Sequence, residues 1–136
     1  MSQQESERME DSKMVAELRN FLGSHSKLLV DGTLRAICAT GIAAGVLLRV
    51  QQDKRGSMPF WARLNRLEMD LDRVNRLFPQ IVNKLHEYEV HDYDDALAYL
   101  GSQEISGLDL MRKDLSKDVI SLVFAVGMAE GHLVAH

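Results

Sequence analysis

The sequence predicts an all-α protein, a compact bundle of four to five helices around one nearly all-apolar central helix at about residues 26–52. Three observations carry this. Between Leu34 and Val50 only Arg35 and Arg49 are charged, and no polar face survives at a 3.6-residue period. A helix of that kind has to be buried on every side. From Phe60 to Tyr88, apolar residues recur alternately at four and three, which is the heptad pattern. The chain has only 2 prolines and few runs of β-branched residues, which argues against strands.

The first ten residues (MSQQESERME) are polar and charged and read as a flexible tail, with a single helical domain over 11–136. Met14, Val15, Leu18, Phe21 and Leu22 then follow helical spacing, and Gly23 supplies a C-terminal cap. Ser24 or Ser26, or Asp31 further on, caps the central helix. Within it, Gly41 and Gly45 are four apart. Each glycine costs helix stability by about 1 kcal/mol relative to alanine, and close approach of another helix would compensate. A membrane span is the rival reading, but a span needs about 20 apolar residues. Extending this run that far takes in Asp31 and Arg35, which are costly in lipid.

Asp53 to Gly56 reads as a turn, and Ser57-Met58-Pro59 as a helix start. The heptad helix follows. Leu64, Leu71, Phe78 and Leu85 take one seam position, and Phe60, Leu67, Val74, Ile81 and Tyr88 the other. Pro79 falls inside and is expected to kink or split it. Asp92 and Asp95 resemble a capping box for a short helix that Gly101 ends, and Ser106 with Asp109 another start. Leu108, Met111, Leu115, Val119, Leu122 and Val126 form the stripe of a last helix. That helix carries the second glycine pair, Gly127 and Gly131. The two pairs are expected to cross each other, or to meet their own copies across a dimer axis.

Candidate chemistry is sparse. His86 and His91 are five apart, whereas a zinc-protease helix needs histidines four apart. Continued as one helix, the two rings would point about 140° apart. His132 and His136 have the right spacing, with Glu130 nearby, but lie at the frayed end. Asp92, Asp94 and Asp95 lack the glycine and distal glutamate of a calcium loop. Ser24-His25-Ser26 has no acidic partner set by sequence. No metal, cofactor or catalytic residue is therefore assigned. The net charge of −4 argues against nucleic acid as a partner of the whole surface. Arginines between Arg49 and Arg76 are interleaved with acids, as on a solvated face. The single cysteine, Cys38, reads as a small buried hydrophobe. With a polar, acidic start, the expectation is a cytoplasmic protein that is not a membrane protein.

The expected function is a non-enzymatic helical protein–protein interaction module, a small regulator or adaptor acting as a homodimer by direct binding to another protein. Gly41, Gly45, Leu64, Leu67, Leu71, Val74, Gly127 and Gly131 are the residues expected to carry helix packing or the dimer. A bundle binding a small ligand or metal through His86, His91, His132 or Glu130 is one alternative. A DNA-associated transcription regulator using the arginines of the Ser57–Arg76 stretch is the other.

Overall fold

A computed structural model of the chain describes residues 3–24, 30–55 and 69–135. Those residues contain five α-helices and no strand: α1 (Gln3–Ser24), α2 (Gly32–Arg55), α3 (Leu71–Glu87), α4 (Asp94–Tyr99) and α5 (Lys117–Val134). A π-helical turn, Leu100–Glu104, and a 3-10 turn, Ile105–Gly107, follow α4 directly. The fold is all-α and compact, with the apolar helix at its centre.

Helix α2 starts where Asp31 caps it. The Asp31 carboxylate accepts from the backbone amides of Thr33 and Leu34, both at 3.0 Å, satisfying two of the unpaired donors of a first turn. Ala36, Ile37, Cys38, Ala39, Ile42, Ala43, Ala44 and Val46 are fully enclosed. Thr40 is also enclosed, and its hydroxyl donates to the Ala36 carbonyl at 2.9 Å. By length and composition Gly32–Asp53 is able to cross a membrane, but 83% of its most apolar window is buried against the rest of the chain. Its apolar surface is met by protein. Met14, Leu18 and Leu22 of α1 join the core, with Leu71, Val74, Ile81 and Leu85 of α3 and Ile120, Phe124 and Met128 of α5. Each large side chain so buried contributes about 1.5–3 kcal/mol.

Several expected boundaries differ. Helix α1 begins at Gln3, within the first ten residues. Helix α2 runs on to Arg55, through the turn expected from Asp53. The helix start at Ser57 and the seam residues Phe60, Leu64 and Leu67 lie outside the described residues. The heptad run is not one helix: α3 starts afresh at Leu71, after Asp70 in an extended conformation. The Asp70 side chain accepts from the Arg73 amide at 2.8 Å. Pro79 does not split α3, since it sits on the exposed side and only one backbone bond is forgone.

Gly101 does not end the short helix, because the chain tightens and widens through the π and 3-10 turns instead. Tyr93, not Asp92, is the residue before α4, and no side chain caps it. The last helix does not start at Ser106. Asp109 accepts from the Met111 amide at 3.0 Å in a local turn, the competing use of a short acidic side chain. Ser116 caps α5 instead, accepting from the Val119 amide at 3.2 Å.

Candidate functional site: two faces of the C-terminal helix

Helix α5 is apolar on both sides, and the two sides do different things. Ile120, Phe124, Gly127, Met128 and Gly131 face α2 and are buried. All four glycines of the two pairs lie in this crossing. A Cβ on Gly41 would overlap the Phe124 carbonyl oxygen, and one on Gly45 the Met128 carbonyl oxygen. A Cβ on Gly127 would overlap the Cys38 carbonyl oxygen, and one on Gly131 that of Ile42. The two backbones therefore touch where both lack side chains. At the far end of the crossing, His132 Nε2 hydrogen-bonds Gln52 Oε1. Near the start of α5, the Met69 amide donates to the Ser121 hydroxyl at 3.1 Å.

The opposite side of α5 carries Val119, Leu122, Val126, Ala129 and Leu133, all exposed, Leu122 at 65% and Leu133 at 66%. Their spacing is three, four, three, four, the seam of a helix awaiting a partner helix. Of the stripe expected on the last helix, Val119, Leu122 and Val126 point outward. Leu108 and Leu115 lie in a non-helical stretch half-buried against the core, and Met111 is exposed. Beside Leu133, an open groove of about 580 Å³ lies between α1 and α5, lined by Phe21, Leu133 and Val134 with Glu17 and Glu130 on it. Of the remaining residues expected in packing, Leu71 and Val74 are buried in the α3 part of the core.

Three polar clusters were not legible from spacing, two because their members are far apart in sequence and the third because a turn, not a helical period, brings its members together. Glu104 is only 4% exposed and accepts from Arg35 through both carboxylate oxygens, Nε at 2.7 Å, and from the Tyr99 hydroxyl at 3.1 Å. This pairing fastens the π turn to α2. The Arg19 guanidinium lies over the Tyr99 ring at 5.0 Å, linking α1 to the same network. Arg112 Nη1 donates to both Asp31 oxygens at 2.8 and 2.7 Å, and its Nε and Nη2 donate to Asp114 at 2.9 and 2.7 Å. The stretch before α5 is thereby anchored to the cap of α2.

The third cluster is His86, His91 and Asp94. The helical projection that set the two rings about 140° apart does not apply, because α3 stops at Glu87. The Val90 amide donates to the Leu85 carbonyl at 3.0 Å and the Glu89 amide to the His86 carbonyl at 2.9 Å. That bond pair is the Schellman ending. Glu89 holds the left-handed position with φ 59°, where glycine is usual and another residue costs roughly 1–2 kcal/mol. The turn brings His91 back beside His86, ring centroids 4.9 Å apart.

Cys38 is enclosed, and burial first, with the charges of Glu130 and Glu104 adding, pushes its thiol up to about 12. A thiol so placed is no nucleophile at neutral pH.

No curated protein and no solved structure matches the chain. One family model does, over residues 1–136, and it is described as CRISPR-associated protein TM1802 (cas_TM1802) C-terminal domain.

Proposed function

The chain belongs to the family of the CRISPR-associated protein TM1802 C-terminal domain, and from that premise we propose that it is a non-enzymatic helical interaction module of a CRISPR-associated assembly, working in the cytoplasm. It docks through the outer seam of α5, and the helix it takes there is that of a second copy or of another protein in the assembly. The observation that carries this reading is the exposed row Val119, Leu122, Val126 and Leu133. A helix already anchored by one apolar face does not need a second one for its own fold. Contiguous exposed apolar rows of this kind mark contact surfaces, and an amphipathic helix with anchors at three and four is the usual form of helix recognition.

The test is to place lysines at Leu122 and Val126 and to measure solution mass and partner capture. The wild-type chain is expected to self-associate, running above the 15.3 kDa of one copy, or to capture a defined component of the CRISPR-associated assembly. The double variant is expected to lose that association while keeping its helicity. Association that survives both lysines overturns the seam as the docking face.

A further inference from the structure

We propose that His86, His91 and Asp94 form a divalent transition-metal site, taking Zn²⁺, that ties the end of α3 to the start of α4. The three side chains are exposed and their donor atoms all lie within 4.8 Å of one another. They converge on one carboxylate from two sides: His86 Nε2 lies 3.0 Å from Asp94 Oδ1, and His91 Nδ1 lies 3.2 Å from Asp94 Oδ2. Ligands held about 2.0–2.1 Å from a tetrahedral zinc sit roughly 3.3 Å from each other, and each histidine already lies near that spacing from one oxygen of the Asp94 carboxylate. To share one ion the three donor atoms have to draw in from that 4.8 Å envelope, and all three side chains are exposed and able to do so.

The donor set selects the metal. Two imidazoles and one carboxylate suit zinc and its transition-metal neighbours, whereas calcium and magnesium want oxygen alone. Three protein ligands leave a fourth position to water. Metal binding replaces the two ring N–H···carboxylate hydrogen bonds. Each imidazole binds the ion through the nitrogen facing Asp94, whose proton passes to the other ring nitrogen or to solvent, so that the bound ring is neutral with its N–H turned away from the metal. Glu87, Glu89, Asp92 and Asp95 surround the three ligands in sequence with no lysine or arginine between residues 86 and 95, which favours a cation there. Neither the sequence spacing of the histidines nor the α5 seam implies this site. It stands apart from the interaction reading.

The experiment is calorimetric titration of the apo chain with Zn²⁺, with Co²⁺ absorption as a second readout of nitrogen coordination. One Zn²⁺ per chain is expected at micromolar affinity, together with a rise in Tm on adding Zn²⁺ but not Mg²⁺ or Ca²⁺. Outer-shell partners alone change metal affinity roughly 10- to 100-fold. His86→Ala, His91→Ala and Asp94→Asn should therefore each weaken binding at least that much, with unchanged helicity, while His132→Ala leaves it intact. All three changes are on exposed side chains, so the variants remain foldable. Absence of saturable Zn²⁺ binding, or binding that the three variants leave untouched, overturns the site.

Discussion

At the scale of single residues, the decisive positions are those with the least side chain. Gly131 sits where any Cβ would overlap the Ile42 carbonyl oxygen of α2. Backbone cannot move aside as a flexible side chain can, so Gly131→Ala has to separate two helices. We expect it to destabilise the chain by about 3 kcal/mol, the upper part of the range for overpacking, measured by urea denaturation. Gly23 is the matched control. It lies in α1 with nothing within 4 Å of an added Cβ, so Gly23→Ala should be neutral or stabilising by about 0.5 kcal/mol. Equal losses at both positions would sink the crossing argument. Cys38 makes a second residue-scale prediction. Its thiol, enclosed and pushed up to about 12, should resist alkylation in the native state at neutral pH. Labelling should proceed only as fast as the chain opens, and labelling at the rate of a free thiol would contradict the burial. The demand of the glycines for close approach was legible in the sequence. That they meet each other within one chain was not, since a dimer axis satisfies the same pattern.

At the scale of elements, helix ends show how local chemistry is redirected by distant partners. Asp31 caps α2, but it also receives Arg112 from a segment far along the chain. Burial raises its carboxyl; the bonds from Arg112 and from the Leu34 and Thr33 amides outweigh this and hold it below the ordinary carboxylate range. A carboxyl depressed by folding contributes stability above the unfolded-chain value of about 3.9 and loses it as pH falls through the lower folded value. Asn is as good an N-cap as Asp, so Asp31→Asn isolates the ion pair. The variant should be less stable than wild type at neutral pH, and the gap should close as the medium is made strongly acid. A gap constant over that range would show that the pair adds nothing. The interior of α2 and the α3 seam from Leu71 to Leu85 could be read from periodicity alone. The end of α3 could not, because a glutamate holds the left-handed position that a sequence reading assigns to glycine. The start of α5 differs from the Ser106 that the sequence suggests: Asp109 uses its side chain in a turn, and Ser116 does the capping.

At the scale of the whole molecule, one helix has two apolar faces, and which one is inward decides what surface the domain presents. Docking through Leu122, Val126 and Leu133 would be driven by apolar burial and should depend little on salt. Contact with nucleic acid through the arginines of α3, Arg73 and Arg76, would instead weaken steeply as salt rises. The net charge of −4 and the acids Asp70 and Asp72 beside those arginines favour the first behaviour. Measuring the association of the intact domain between low and high salt separates them, and a steep slope would move the functional reading from the α5 seam to phosphate.

The all-α class, the buried central helix and the need for close helix packing follow from patterns within short windows: absent polar faces, heptad spacing and glycines four apart. Such patterns constrain a helix from its own residues. The direction α5 faces, the embrace of Glu104 by Arg35 and the meeting of His86 with His91 and Asp94 arise elsewhere. Each depends on where a turn or a crossing places residues that no period connects. In α5 the apolar residues alone cannot distinguish inside from outside, because Val119, Leu122 and Val126 are as apolar as Ile120, Phe124 and Met128. The side with Gly127 and Gly131 faces α2 because only there can the two backbones touch, and that contact leaves the other apolar row exposed.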